Sequence, residues 1–169
     1  MDAPDCVIEP LRDEEDIQQC ARMMVSSEPW ITLRRTHEEA LQVLHDASRE
    51  TYVARSRGQL VGFLILCMTG AFVGYIQTVC VDPRWRGRRF GSALIRFAEQ
   101  RIFREQPNVF MCVSSFNLNA QRLYLRLGYE VVGDLKNYVV DGLSEILLRK
   151  TIAPLKDWSS ASYPEVQVP

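Results

Sequence analysis

Little in these 169 residues points to a membrane, a secreted scaffold or a metal centre. No apolar run reaches the roughly 20 residues that span a bilayer, and the N-terminus lacks the basic-then-apolar pattern of a signal sequence. The cysteines, Cys6, Cys20, Cys67, Cys80 and Cys112, are scattered, odd in number and mostly set among apolar residues. They offer neither a disulfide framework nor metal-ligand spacing, so reduced core thiols in a cytoplasmic protein, with no metal, are the expectation. The formal net charge of −1 argues against a general nucleic-acid binder, which needs a broad basic face. Repeats and low-complexity stretches are absent too. One local absence matters later: no acid occurs from Phe72 to Val81.

What is present is an ordinary globular composition, 47% hydrophobic and 24% charged. The length suits one domain, expected over 1–150, followed by a loosely attached tail over 151–169 rich in proline and serine. Cys6 to Pro10 reads as a short strand. Acids at 13–16 open a helix with Ile17, Cys20, Ala21 and Met24 on its buried stripe. Thr36 and Glu39 have capping-box spacing for a second helix, whose apolar face is Ala40, Val43, Leu44 and Ala47. Between the helices lies a loop with Glu28 and Trp30, the tryptophan either plugging the helix gap or covering a substrate site. Strands follow over 51–55 and 60–68, with a hairpin turn at 56–59, and then a longer strand from Phe72 to Val81. Val109 to Val113 is an unbroken apolar run, read as a strand buried on both faces. Strands over 129–133, 135–140 and 143–148 complete the pattern, with Asp141-Gly142 as a tight turn.

Two stretches carry chemistry. In the first, the strand ending at Val81 runs through Asp82-Pro83 into an arginine- and glycine-rich turn and then a helix. Strand, turn and helix in that order aim free backbone N–H groups at an anion. Arg84, Arg86, Arg88 and Arg89 add positive charge suited to phosphate oxygens. In the second, Asn117 caps a helix with Ala120, Leu123, Tyr124 and Leu127 on one face and Gly128 as terminator.

The first stretch resembles the cofactor motif of the GNAT family of N-acetyltransferases, Arg/Gln-x-x-Gly-x-Gly/Ala, here Arg86-Gly87-Arg88-Arg89-Phe90-Gly91. The motif's first glycine is Arg89 in this chain, a substitution that strains the backbone if the position needs a positive φ. The second stretch is similar to that family's Asn-x-x-Ala-x-x-Leu-Tyr-x-x-x-Gly-Phe/Tyr at every fixed position. The resemblance covers about residues 5 to 150. It implies an α/β (α+β) domain with a mixed, mostly antiparallel sheet, splayed between the strand over 72–82 and the strand over 109–113. It further implies an acetyl-CoA-dependent enzyme acting on an amine, a small molecule or a peptide N-terminus, with no nucleic-acid or membrane partner. Monomer and homodimer both stay open.

By the same resemblance, Arg86, Gly87, Arg88, Arg89, Phe90, Gly91 and Ser92 wrap the cofactor diphosphate. Val79 and Val81 lend their backbones to the reacting carbonyl and the pantetheine arm. Asn117 and Ala120 border that arm, although capping explains Asn117 equally well. Arg126 meets a phosphate or simply faces solvent. Tyr124 is the expected acid for the departing thiolate. The family's strand glutamate is replaced by Tyr75, so the base is unassigned, with Glu28, the Tyr138 hydroxyl, Glu145 or a water chain as substitutes. Glu28, Trp30, Gln77 and Tyr138 are the acceptor-site candidates, and Tyr138 leans toward a peptide α-amine. Direct attack is expected, because no cysteine has a base beside it in sequence. The alternative is a catalytically silent acyl-CoA sensor, favoured by the missing strand acid and by Arg89.

Overall fold

The computed structural model describes residues 5–159. Seven strands form one sheet in the order β1-β2-β3-β4-β5-β7-β6. They are β1 (Val7–Pro10), β2 (Arg49–Ser56), β3 (Gln59–Cys67), β4 (Tyr75–Val81), β5 (Asn108–Ser114), β6 (Glu130–Lys136) and β7 (Ser144–Thr151). Every neighbouring pair is antiparallel except β4 with β5, which run parallel. That parallel pair needs a crossover, supplied by α3 (Phe90–Phe103). The remaining helices are α1 (Glu14–Val25), α2 (His37–Leu44) and α4 (Leu118–Arg126).

The sheet is covered on both faces, so its central strands are apolar on both sides. In β3, Phe63 and Ile65 pack with Cys20, Ala21 and Met24 of α1 and Ala40 and Leu44 of α2. Its Leu64 and Leu66 pack with Leu94, Ile95, Ala98 and Ile102 of α3. Burying a leucine or isoleucine side chain contributes roughly 1.5–3 kcal/mol, and this double layer is what fixes the strand order. The expected capping box on α2 forms: Thr36 Oγ1 accepts from Glu39 N, and the Glu39 carboxylate accepts from Thr36 N at 2.8 Å.

Several features differ from the sequence reading. α2 ends at Leu44, and Ala47 lies beyond it in a turn. The strand expected from Phe72 starts only at Tyr75, because Gly74 breaks the extended path with φ +83. A Cβ on Gly74 would lie 2.6 Å from the Asn108 carbonyl oxygen and 2.6 Å from Ile102. That close approach lets the Gly74 carbonyl accept from Phe110 N at 3.0 Å, pinning the start of β4 to β5. β5 is not buried on both faces: Val109, Met111 and Val113 are buried while Phe110 and Cys112 are half-buried, since one face opens to a cleft. Residues 137–140 are not strand either. Asn137 takes φ +53 and its Oδ1 accepts from Gly142 N at 2.8 Å, closing a loop between β6 and β7.

β7 runs to Thr151, and Ile152 N donates to the Pro107 carbonyl at 3.0 Å. The part of the expected tail over 160–169 lies outside the described residues. Among the described residues, no helix is long and apolar enough to cross a membrane.

Candidate active site

The site starts from a disagreement between two strands. β4 and β5 pair only at Tyr75 with Phe110 and Ile76 with Met111. On its other edge β4 pairs Thr78 with Ile65 but Ile76 with Leu66, which leaves Gln77 as an extra, bulged residue. A bulge bends its strand and re-aims the residues after it. From Gln77 onward β4 leaves β5, and a cleft of about 1600 Å³ opens between them. A pocket for one drug-sized ligand spans roughly 300–1,000 Å³, so this one has room for two substrates.

One end is built by the turn before α3. Asp82 is buried, and its Oδ1 accepts from Arg84 N at 2.8 Å, while Oδ2 meets the Arg84 guanidinium at 2.7 Å. Those bonds hold the Asp82 carboxyl below its ordinary range. The Arg88 guanidinium lies over the Trp85 ring, 5.0 Å from its centroid, and Trp85 packs edge-on to Phe90 at 5.6 Å. The four arginines are therefore not one cluster. Arg84 is tied to Asp82 and Arg88 to Trp85, whereas Arg86 and Arg89 line the cleft with Gly87, Phe90, Gly91 and Ser92. Arg89 is the N-cap of α3 with φ +68, in the left-handed region, and its side chain does not cap the helix. The motif position does require a positive φ, and an arginine adopts it here. Arg86 Nε donates to the Val81 carbonyl at 3.1 Å, so one polar group of the backbone expected to meet the pantetheine arm already has a partner.

The wall facing β4 is α4. Asn117 Oδ1 accepts from Ala120 N at 3.3 Å, the expected cap, and both residues line the cleft. Leu123, Tyr124 and Arg126 continue the lining. The Tyr124 ring meets that of Tyr129 edge-on at 6.2 Å, and burial pushes the Tyr124 phenol up to about 12. At neutral pH that hydroxyl keeps its proton. Val79 lies opposite on β4, beside the cleft and beyond the last β5 pairing.

The other end collects the acceptor candidates. Glu28, Trp30, Gln77 and Tyr138 all line it. Glu28 is exposed and its Oε2 accepts from Thr32 N at 3.2 Å. Trp30 packs against the α1–α2 core and also borders the cleft. Gln77 Oε1 accepts from the Cys67 thiol at 3.4 Å, and Cys67 also contacts the Arg49 guanidinium. Tyr138 stands on the β6–β7 loop, 64% exposed. Sequence reasoning did not single out Arg49, Phe72, Cys112 or Ser114, which line the same cleft. The alternation of half-buried residues along β5 carried that signal only once its open face was known. The carboxyl of Glu145, on β7, is buried at 7% exposure and accepts from Ser114 Oγ at 2.6 Å. Burial raises its pKa above the ordinary glutamate value. Among the described residues, no cluster of His, Cys, Asp and Glu is arranged to hold a metal ion.

Comparison with known proteins agrees with this architecture. Residues 14–129 match the profile of the acetyltransferase (GNAT) family. The N-alpha-acetyltransferase RimI of Mycobacterium tuberculosis is 31% identical over 144 residues, 80% of this chain and 86% of that one. The crystal structure of the ribosomal-protein-S18-alanine N-acetyltransferase from Escherichia coli superposes with a TM-score of 0.72 at 14% identity, covering 91% of this chain and 99% of that one. An aminoglycoside 6'-N-acetyltransferase complexed with coenzyme A gives 0.69 at 16% identity, with 88% and 98% covered. At such identities the two structures speak for the fold.

Proposed function

The chain belongs to the acetyltransferase (GNAT) family, and from that premise we propose how its residues divide the work of acetyl-CoA-dependent N-acetyl transfer. Arg86, Gly87, Arg89, Phe90, Gly91 and Ser92 hold the cosubstrate's diphosphate, where uncapped N–H groups of α3 and fixed guanidinium charge converge. The Arg88 guanidinium, set on Trp85, shapes this turn instead of reaching the anion. The Val81 backbone, Asn117 and Ala120 border the pantetheine arm, Arg86 giving up the Val81 carbonyl when the arm enters. Arg126 stands ready for a further phosphate.

The amine attacks the thioester carbonyl, the N–C bond forms and the C–S bond breaks. The Val79 N–H is the donor for the tetrahedral oxyanion. Tyr124 passes its proton to the departing thiolate, a step suited to a phenol that is fully protonated at neutral pH. Attack is direct. Burial raises the thiols of Cys6, Cys20, Cys67, Cys80 and Cys112, and an uncharged thiol is a poor nucleophile. The same unpaired cysteines fit a reducing, cytoplasmic setting.

The observation that carries this reading is the cleft itself, with the arginine-lined start of α3 at one end and an aromatic, carboxylate-bearing chamber at the other. For the acceptor we favour a peptide α-amine. Tyr138 on the open β6–β7 loop gives an extended chain a surface to lie on, and the relative from M. tuberculosis is an N-alpha-acetyltransferase. The test is calorimetric titration of acetyl-CoA, followed by thiol release over short peptides with free N-termini and over aminoglycosides. One equivalent of acetyl-CoA bound and turnover with peptides is the expected result. Binding without turnover on any amine would mean a silent acyl-CoA module.

A further inference from the structure

We propose that Glu145 is the group that receives the acceptor amine, binding its ammonium form and taking the proton that must leave before attack. This rests on the reading of the chain as an amine acetyltransferase and supplies the base that reading lacks.

Beside a water chain, three side chains were open as carriers of that proton, and the fold separates the three. Glu28 is exposed and bonded to its own turn. Tyr138 is mostly in solvent. Glu145 lines the cleft from β7, opposite Ser114 in the β5–β7 register and so beyond the last β4–β5 pair at Met111. One carboxylate oxygen, Oε1, is held by the Ser114 hydroxyl at 2.6 Å. Among the described residues no cation pairs with Glu145, and its Oε2 has no hydrogen bond.

The groups around it are uncharged at neutral pH. Tyr75 of β4 and Cys112 of β5 interact with each other and both feel the Glu145 charge. Burial raises both groups, so both keep their protons and neither competes with an ammonium for the carboxylate. A buried carboxylate without a cation is costly to leave ionised, and a bound ammonium removes that cost. The same burial makes the carboxyl more basic. That upward shift narrows the gap to an α-ammonium, whose ordinary pKa is about 8.

The balance is complete without a further reactant. The ammonium gives one proton to Glu145, and the free amine adds to the acetyl carbonyl. As the thiolate leaves it takes the Tyr124 phenol proton, and the second N–H proton of the tetrahedral adduct passes through water to the phenolate, restoring Tyr124. Glu145 returns its proton to water through the open mouth of the cleft. The sum is acetamide, free CoA thiol and one proton.

The test has two arms on the full-length protein. First, carboxyl-¹³C NMR of wild type and Glu145→Gln assigns the Glu145 resonance and follows it against pH. A midpoint above that of the exposed glutamates is expected, and a midpoint at or below theirs overturns the proposal. This arm needs no acceptor, so it reports even if wild type acetylates nothing, the outcome that would sink the enzymatic reading itself. Second, kcat and kcat/KM are measured against pH with an accepted primary amine, or the peptide Ser-Gly-Ala as first probe. Glu145→Gln keeps an acceptor for Ser114 and should bind acetyl-CoA as wild type does. Its kcat/KM should fall about 10²-fold or more near pH 7 and close on wild type as rising pH deprotonates the amine. An unchanged pH profile, or an equal loss at every pH carried only by KM, would overturn the proton-transfer role.

Discussion

Replacing Arg89 by glycine should make the free protein more stable and its grip on acetyl-CoA weaker, two opposite effects from one side chain. Arg89 holds φ +68 at the N-cap of α3. A left-handed conformation costs an L-residue roughly 1–2 kcal/mol, and glycine escapes that cost. Glycine in turn leaves the unfolded chain freer, which takes back roughly 0.5–1 kcal/mol. The net gain is about 0.5–1 kcal/mol, or an increase in Tm of about 1–4 °C for a domain of this size. On the binding side, a hydrogen bond from a charged group is worth roughly 1.5–3 kcal/mol. Losing the guanidinium at the mouth of the diphosphate site should weaken acetyl-CoA about tenfold to a hundredfold. Calorimetric scanning of the free protein reads the first effect, and calorimetric titration with acetyl-CoA reads the second. Arg89→Lys separates them, keeping a charge and the strain together. A Tm for Arg89→Gly equal to or below wild type would refute the strain argument. Unchanged acetyl-CoA affinity would refute the placement of Arg89 on the diphosphate.

Tyr124→Phe should lower kcat by about 10²-fold or more while the acetyl-CoA dissociation constant stays within about twofold in calorimetry; unchanged turnover would remove the phenol from the mechanism. Gly74→Ala should lose about 2–4 kcal/mol in denaturant unfolding, because the new Cβ at φ +83 meets the Asn108 carbonyl and Ile102 at 2.6 Å. The exposed pair of His45 Nε2 and Glu14 Oε2, 2.9 Å apart, links the end of α2 to the start of α1. The hydrogen bond to Glu14 raises the His45 pKa, and that to His45 lowers the Glu14 pKa. The histidine's contribution is full below its unfolded pKa of about 6.5 and fades as pH rises through the higher folded value. The glutamate's is full above its unfolded pKa and fades as pH falls through the lower folded value. The Tm gap between wild type and His45→Gln should therefore be widest near pH 5–6 and shrink by pH 8 in thermal scans. A gap independent of pH would mean the contact is not an ion pair.

What could be read from sequence was whatever a local pattern decides. The α2 capping box, the Asn117 cap and the stripe of α4 all depend on residues within a few positions of one another, and each forms as spaced. The two motifs identified the fold through the family they resemble, since no local pattern states which strands neighbour. The misplaced features depend on partners far away in sequence. Gly74 ends the strand early because Ile102 and Asn108 press on it, and no window around Gly74 contains either residue. The sequence grouped Arg88 with Arg86 and Arg89, and in the fold its guanidinium lies over the neighbouring Trp85 ring, a contact that charge density alone does not specify. Four arginines in six residues state a charge density, and only the turn's geometry decides which of them face the cleft.

The missing strand acid is the place where local and distant information combine. Tyr75 stands where the resembling family carries a glutamate, and taken alone this looked like the loss of catalytic equipment. In the fold, Tyr75 reaches across the floor of the cleft toward Cys112 and lies within the field of Glu145. The carboxylate has not left the chamber; it approaches from β7, with Ser114 fixing one oxygen. A carboxylate on β4 beside Glu145 would have put two like charges in one buried space, which forces one of them to hold a proton. An aromatic alcohol at position 75 avoids that conflict and leaves Glu145 as the single buried carboxyl lining the cleft among the described residues. On this argument Tyr75→Glu should not restore anything. It should raise the Glu145 midpoint further and depress turnover below wild type near pH 7, whereas the double change Tyr75→Glu with Glu145→Gln should recover part of the loss seen in Glu145→Gln alone. Measured as kcat/KM against pH, a Tyr75→Glu enzyme faster than wild type would show that the two carboxyls do not share a site.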